Sequence, residues 1–372
     1  MNNFLNRTIL KKNLLFIAHN EIMFSYIAPI YAGLKKDSRL RLWVCFFRPE
    51  LFNPSTLKRL KKKFKFNAVP YKIARYLKWD LVFYPDHDPW FRKECKKIFI
   101  GHGIPMGKKN SNGNSYVYGP GSLDVNGEII YDKFFESSMF LKELIKKNYQ
   151  QFYPRVKVVG SLLADEMFRE ESPAITFKDK KNTKKTIMVT STWGRDSLLI
   201  SQGEKIIDQI KALKEKYNVI ITVHQNNFLN KNSNNIDWRQ ELEKIQGDNV
   251  LVLTPEQNAY SFLPLADVLI SDKTSLTAYY ILLKRPIVFF DNFGDKYDAV
   301  TLAPEIRETL YCTKDLSNLL SHLDNSFKHF DIGKAQTLAE KVVSFLGESW
   351  IRYKEEIYDC LMLDMPDEER GN

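Results

Sequence analysis

The 372-residue chain has only four cysteines, Cys45, Cys95, Cys312 and Cys360, and no two of them stand at Cys-x-x-Cys spacing. That spacing excludes a zinc ribbon or a dithiol redox motif, and isolated free thiols fit a reducing cytoplasm. Long apolar runs are missing as well. The best, Ala278 to Phe290, is cut by Lys284, Arg285 and Pro286, so no segment is expected to span a bilayer. Asn13 to Ala18 is too short for a secretory leader, and Glu21 follows closely. The sequence contains no G-x-G-x-x-G after a strand, no G-x-x-x-x-G-K-S loop, no G-x-S-x-G elbow and no H-E-x-x-H helix. These absences argue against dinucleotide-dependent redox enzymes, P-loop NTPases, serine hydrolases of the α/β type and zinc proteases. Acidic residues are in the minority, 45 against 55 lysines and arginines. A surplus of positive charge favours phosphates, nucleotides, nucleic acid or an anionic bilayer, without choosing among them.

What is present is alternation. Short apolar runs at Asn13–Ala18, Leu40–Phe47, Leu81–Tyr84, Ile98–Ile100, Val156–Val159, Ile187–Val189, Val219–Val223, Val250–Leu253, Val268–Ile270 and Ile287–Phe290 read as strands. Helix-like stretches such as Ile22–Leu34, Gly203–Tyr217 and Ser275–Leu283 lie between many of them. This pattern predicts an α/β fold with two mostly parallel sheets. The lysine-rich stretch Glu171 to Lys185 has linker composition. The expected division is residues 1–175, residues 184–335, and a closing amphipathic segment over residues 336–365 that packs back toward the first domain.

In open α/β sheets ligands bind beyond the carboxyl ends of the strands. The residues after each predicted strand are polar and chemically useful: His19; Asp86-His87-Asp88; Gly101-His102-Gly103-Ile104-Pro105; Thr190 to Arg195; His224; Thr254-Pro255-Glu256; and Ser271-Asp272-Lys273-Thr274-Ser275. Two facing strand ends would bring them to one cleft. His322 and His329 fall in a polar helical region and read as surface residues.

Each has a plain reading beside the functional one. Gly101 and Gly103 let the backbone turn sharply and present the His102 imidazole, a natural base for a hydroxyl nucleophile near neutral pH; a tight turn with an incidental histidine is the alternative. Thr274 is a plausible helix N-cap, so Lys273, Thr274 and Ser275 would surround free N–H groups suited to phosphate, although ordinary capping explains the same residues. Arg195 has the fork for a phosphate, while Trp193 reads equally well as packing. His224 could donate to a phosphate oxygen or merely bond its own loop. Asp86-His87-Asp88 has the D-x-D spacing of some metal sites, but it lies away from the predicted nucleotide half, so no metal is expected. Leu57 to Phe66 interleaves Lys58, Arg59, Lys61, Lys62, Lys63 and Lys65 with Leu60, Phe64 and Phe66. That stretch suits anionic headgroups, or a solvated surface helix.

Taken in order, these residues resemble the CDP-glycerol glycerophosphotransferase family. Its members carry His-Gly-Thr-Pro, Pro-Thr-Trp-Arg, a strand-ending histidine, and Ser-Asp-Tyr-Ser-Ser before a helix leading to Lys-Arg-Pro. Here these read His102-Gly103-Ile104-Pro105, Ser191-Thr192-Trp193-Gly194-Arg195, His224, Ser271-Asp272-Lys273-Thr274-Ser275 and Lys284-Arg285-Pro286. The resemblance runs from about Lys97 to Asp291. It departs at Ile104, Lys273 and Thr274, which leaves ribitol phosphate or another polyol phosphate open as the transferred group. It implies a GT-B fold with a C-terminal crossover helix, an acceptor-side first domain and a nucleotide-side second domain. It also implies transfer of glycerol phosphate from CDP-glycerol to an acceptor hydroxyl, with CMP released.

His102 and His224 are then the expected catalytic residues. Gly103, Thr192, Arg195, Thr254, Glu256, Ser271, Asp272, Lys273, Thr274 and Ser275 are the expected substrate contacts. No cofactor is expected beyond a CDP-activated donor, and the acceptor would be glycan or lipid-linked. The protein would sit on the cytoplasmic face of the membrane through Lys58 to Lys65, without a nucleic-acid partner. A GT-B glycosyltransferase using a nucleotide sugar is the rival reading, and a non-catalytic membrane- or nucleic-acid-binding module is a third.

Overall fold

Thirteen strands assemble into two separate sheets in a computed structural model that describes residues 11–19, 21–47, 54–87, 94–107, 109–110, 112–169, 183–228, 236–254, 257–294 and 296–366. The chain divides into two compact units. The first comprises residues 1–103, 114–165 and 344–372; the second comprises 104–113 and 166–343. The linker-like stretch read at Glu171–Lys185 lies outside the described residues up to position 182.

In the first unit β1 (Lys12–Ala18), β2 (Leu40–Phe46), β3 (Asn67–Ala68), β4 (Leu81–Tyr84), β5 (Lys96–Phe99), β6 (Lys133–Glu136) and β7 (Val156–Val158) form one sheet. Its order is β3-β2-β1-β4-β5-β6-β7, with every pairing parallel. Helices α1 (Glu21–Leu34), α2 (Pro54–Phe64), α3 (Tyr71–Ala74), α4 (Met139–Asn148) and α5 (Leu162–Arg169) accompany these strands. Residues Leu14 to Ala18 are fully buried, as expected of a parallel strand covered on both faces.

In the second unit β8 (Thr186–Ser191), β9 (Asn218–Val223), β10 (Val250–Val252), β11 (Val268–Ser271), β12 (Ile287–Phe290) and β13 (Tyr311–Thr313) run in the order β10-β9-β8-β11-β12-β13, again all parallel. Its helices are α6 (Leu198–Gln202), α7 (Lys205–Lys216), α8 (Trp238–Glu243), α9 (Ser275–Ile281), α10 (Ala303–Thr309), α11 (Leu319–Lys328) and α12 (Ile332–Val342). Ile187, Val189, Ile210, Leu213, Val268, Ile270 and Leu323 belong to one buried core here. Both sheets reverse strand order beside their first strand, at β1/β4 and β8/β11, and a doubly wound sheet opens its binding crevice at that point.

The closing amphipathic segment is not one helix. α12 ends in the second unit, and α13 (Ser349–Leu361) belongs to the first. Phe345 and Gly347 take positive φ, 62° and 89°, and break the helical path. The Asp165 carboxylate accepts from Gly347 N (2.7 Å) and Ser349 N (2.9 Å), supplying the new helix with acceptors for its free N–H groups. Gly160, at φ +78°, leaves room for this return: a Cβ there would lie 2.5 Å from Ser349 Oγ. Tyr353, Ile357, Tyr358 and Leu361 then join the first unit's core. Lys133 Nζ binds Glu356 Oε2 (2.5 Å) and Asp359 Oδ2 (2.6 Å), and Tyr358 O–H donates to Asp37 Oδ2 (2.6 Å).

Glu136, at the end of β6, is buried, and burial pushes its carboxyl up to about 7 although the Tyr118 O–H and the Ser137 N–H donate to it. A carboxyl raised in the folded state favours the protonated form. Its stabilisation is therefore complete below the ordinary value of 4.5 and lost as pH rises through about 7. The loss amounts to about 3 kcal/mol. In thermal melts from pH 4 to 8, Glu136→Gln should flatten this part of the slope; an unchanged slope refutes the assignment.

Candidate active site

The switch point of the second sheet carries two polar loops, and one side chain joins them. Asp272 follows β11 and is wholly buried. Its Oδ1 accepts from Thr192 N (2.8 Å), and its Oδ2 accepts from Leu198 N (2.7 Å) and Ser191 Oγ (3.0 Å). Ser191 Oγ in turn accepts from Leu199 N (3.1 Å). Burial pushes the Asp272 carboxyl up to about 6 against these donors. Asp272 was expected to touch substrate; its oxygens instead brace the loop after β8 against the loop after β11. Ser271 is equally buried, its Oγ 2.6 Å from Thr277 Oγ1, so it too is internal.

After this brace the chain continues through Lys273, Thr274 and Ser275 into α9. Thr274 is the N-cap of α9, with extended backbone (φ −117°, ψ 153°) and a side chain that accepts from Leu276 N (3.4 Å). Ser275 Oγ lies 3.0 Å from Tyr260 Oη. Lys273 is almost fully buried; its Nζ donates to Lys296 O (3.2 Å) and sits 4.0 Å from the Tyr297 ring centroid. Lys296 Nζ pairs with Asp196 (2.5 Å) in the loop after β8. In that loop Thr192 is buried, its carbonyl accepting from Asn227 Nδ2 (2.9 Å), while Trp193 and Arg195 are exposed. Thr254 is exposed beyond the edge strand β10, its N–H donating to Gln257 Oε1 (2.7 Å). Glu256 lies outside the described residues.

His224 follows β9, next to β8. Its Nδ1 accepts the N–H of Asn226 (3.1 Å). A neutral imidazole that accepts at Nδ1 carries its hydrogen on Nε2, so His224 offers a donor there. The Trp193 ring lies 6.1 Å away.

In the first unit His102 has the opposite tautomer. Its Nδ1 is 2.9 Å from Pro85 O, a carbonyl that can only accept, so Nδ1 carries the hydrogen and the lone pair is on Nε2. Gly101 (φ 67°) and Gly103 (φ 115°) flank it in backbone conformations that side-chain-bearing residues rarely adopt. The Tyr116 ring stands edge-on at 6.0 Å. This arrangement fixes the ring with its acceptor nitrogen on the far side from its anchor.

A second strand-end histidine of this sheet, His87, is structural. His87 bonds Tyr116 O (2.7 Å) and Tyr131 Oη (3.2 Å), stacks on Phe99 at 4.9 Å, and is held below its ordinary pKa by burial. Asp86 accepts from the Tyr116 hydroxyl; Asp88 lies outside the described residues. His322 is not simply at the surface: it is half-buried with Nδ1 3.0 Å from Tyr311 Oη.

Sequence reasoning left out Tyr260, Asn227, Asp196 and Lys296. Tyr260 and Asn227 come from 3₁₀ turns without periodicity. The Asp196–Lys296 pair joins positions 100 apart, and no local signal could reveal it.

On α2 and the turn after it, Lys58, Arg59, Lys61, Lys62, Lys63 and Lys65 are exposed, whereas Leu60 and Phe64 pack against the first unit's core and Phe66 is buried. The basic face is therefore a surface of charge alone. Among the described residues no helix is long and apolar enough to cross a membrane.

The family model described as CDP-glycerol:poly(glycerophosphate) glycerophosphotransferase matches residues 14–303. Among solved structures the chain is similar to the wall teichoic acid polymerase TagF, with a TM-score of 0.62 and 14% identity over 94% of this chain and 88% of that one. It is similar to S. aureus MnaA in complex with UDP, with a TM-score of 0.62 and 14% identity over 95% and 99%. A UDP-N-acetylglucosamine 2-epimerase follows at 0.59 and 15%, over 97% and 99%. No curated protein matches the sequence. At these identities the likeness establishes the fold, which is GT-B.

Proposed function

The chain belongs to the CDP-glycerol:poly(glycerophosphate) glycerophosphotransferase family, and from that membership we propose that it moves glycerol phosphate from CDP-glycerol to a hydroxyl of a glycan or lipid-linked acceptor in the synthesis of a cell-surface polymer. The acceptor oxygen attacks the phosphorus distal to cytidine, and His102 Nε2 takes its proton. The bond from that phosphorus to the bridging oxygen breaks, and CMP leaves with the bridging electron pair. His224 Nε2–H, Arg195 and the hydroxyls of Thr274 and Ser275 bear the charge that builds on the pyrophosphate oxygens. The reaction needs no cofactor. The observation that carries this reading is the pair of opposed imidazole tautomers: an acceptor nitrogen on His102, held by Pro85 O, and a donor nitrogen on His224, held by Asn226 N.

The deciding experiment supplies CDP-glycerol, CDP-ribitol and UDP-sugars in turn and assays nucleotide release. CMP from CDP-glycerol supports the reading. UDP from a UDP-sugar, with no CMP from either CDP-polyol, would replace it with glycosyl transfer.

Ser275→Ala should weaken binding of CDP about tenfold, the worth of one hydrogen bond to a charged group. Titration calorimetry reads this directly, and an unchanged Kd removes Ser275 from the donor site. The exposed cations of α2 are the proposed contact with an anionic, cytoplasm-facing membrane surface, where the acceptor would be met.

A further inference from the structure

The chain's positive charge is concentrated in one place. Residues 51–79 contain nine lysines and arginines and no aspartate or glutamate, in a protein whose whole surplus is ten. The rest of the chain is thus almost neutral. The segment runs through α2, the edge strand β3 and α3, all in the first unit.

Its second half exposes apolar side chains. Ile73, Tyr76 and Leu77 are 53%, 64% and 43% exposed, the densest group of large exposed apolar residues among those described. They alternate with Lys72, Arg75 and Lys78. The backbone beneath them is fixed. Ala74 is fully buried, Trp79 is 6% exposed with its Nε1–H donating to Ala74 O (2.7 Å), and Val69 is buried on the other side. Trp79 also packs edge-on to Trp43 of β2. The turn therefore holds three apolar side chains outward, interleaved with cations, and the Arg75 guanidinium lies 5.1 Å from the Tyr76 ring centroid. Solvent-facing aliphatic groups cost free energy in water, and a polyanion without an apolar layer would not relieve that cost. An anionic bilayer offers both phases: headgroups for the cations and acyl chains for the wedge.

We propose that Ile73, Tyr76 and Leu77 form the wedge that inserts into an anionic bilayer, with Lys72, Arg75 and Lys78 at the headgroups and the basic face of α2 supplying the longer-range attraction. This rests on the peripheral-membrane reading above and adds to it the element that enters the lipid. α2 cannot be that element, because its own Leu60 and Phe64 face the protein core.

The test is flotation of the full-length protein with vesicles of phosphatidylcholine containing about 30 mol% phosphatidylglycerol, against vesicles of phosphatidylcholine alone. Wild type should float with the anionic vesicles only. The triple variant I73S/Y76S/L77S should lose about tenfold or more in partition, and what remains should vanish at high salt. Its release of CMP with a water-soluble acceptor should be unchanged, since the three side chains are exposed and lie outside the site. K61Q/K62Q/K63Q should lose partition comparably by weakening attraction. If the lysine variant loses binding and the triple variant binds as wild type, the wedge is refuted while surface attraction stands. If wild type floats with neither vesicle, both ideas fall. Dimer dissociation caused by the triple variant, without a change in flotation, would assign the patch to a second copy of the chain and overturn the proposal.

Discussion

Replacing His102 by alanine is expected to lower turnover by about two to four orders of magnitude, the worth of a positioned general base, while the Kd for CDP stays within about twofold of wild type. The split follows from where the residue sits. His102 is anchored in the first unit through Nδ1–H to Pro85 O and is flanked by two glycines at positive φ, whereas the hydroxyls, lysine and capped helix read as the donor site belong to the second unit. His102→Asn is the sharper control. Its Nδ2 amide falls where the imidazole Nδ1 stood and can still donate to Pro85 O, so the loop keeps its anchor, but it has no basic nitrogen to offer the acceptor hydroxyl. Both variants should therefore be inactive and only the alanine variant should loosen the turn. His87→Ala should behave in the opposite way: its two hydrogen bonds and its stack on Phe99 are structural, so melting temperature should fall more than activity. Full CMP release by His102→Asn would show that the proton leaves by another route.

The strands that could be read in advance are those whose side chains are apolar on both faces, such as Ile187–Val189 in β8 and Val268–Ile270 in β11, because a covered parallel sheet leaves an unbroken run. β6 escaped because it opens on Lys133 and closes on Glu136. Both are buried, and Lys133 is made tolerable only by Glu356 and Asp359 on a helix more than 220 positions away. β3 is two residues long and β13 only half-buried, too little for any period to show. The break between α12 and α13 depends on the Asp165 carboxylate reaching Gly347 and Ser349, so a periodic pattern ran straight across it. At the site, the strand-end rule located the loops without resolving their interiors. His87 and His102 look alike as residues after a strand. Only the carbonyl each one meets, and the burial around it, separates a ring packed on Phe99 from one anchored at Nδ1 between two glycines.

Asp272 shows the same limit most clearly, and it carries the second large effect. From sequence it stands two residues before a helix cap among other polar residues, and looks like a side chain open to ligand. In the fold it is the acceptor for three buried donors from a segment some 80 positions earlier. Asp272→Ala should leave the N–H groups of Thr192 and Leu198 and the Ser191 hydroxyl without their acceptor. At about 1 to 3 kcal/mol for each unsatisfied buried group, partly recovered by water or relaxation, a loss of about 3 to 5 kcal/mol is expected, visible as a lower denaturant midpoint at unchanged slope. Asp272→Asn separates the brace from the charge. The amide oxygen can hold Leu198 N and Ser191 Oγ, but the amide nitrogen then faces the Thr192 N–H, donor against donor. That variant should fold while displacing Thr192 and its neighbours, so its Kd for CDP should rise about tenfold with a much smaller change in midpoint. The pH dependence gives an independent check. Burial raises the Asp272 carboxyl from 3.8 to about 6, so its contribution to stability is complete below 3.8 and lost as pH rises through about 6. Asp272→Asn should abolish that part of the slope. Wild-type CDP affinity in the asparagine variant would mean that the loop after β8 keeps its position without the brace, and that its polar residues do not depend on Asp272 for their placement.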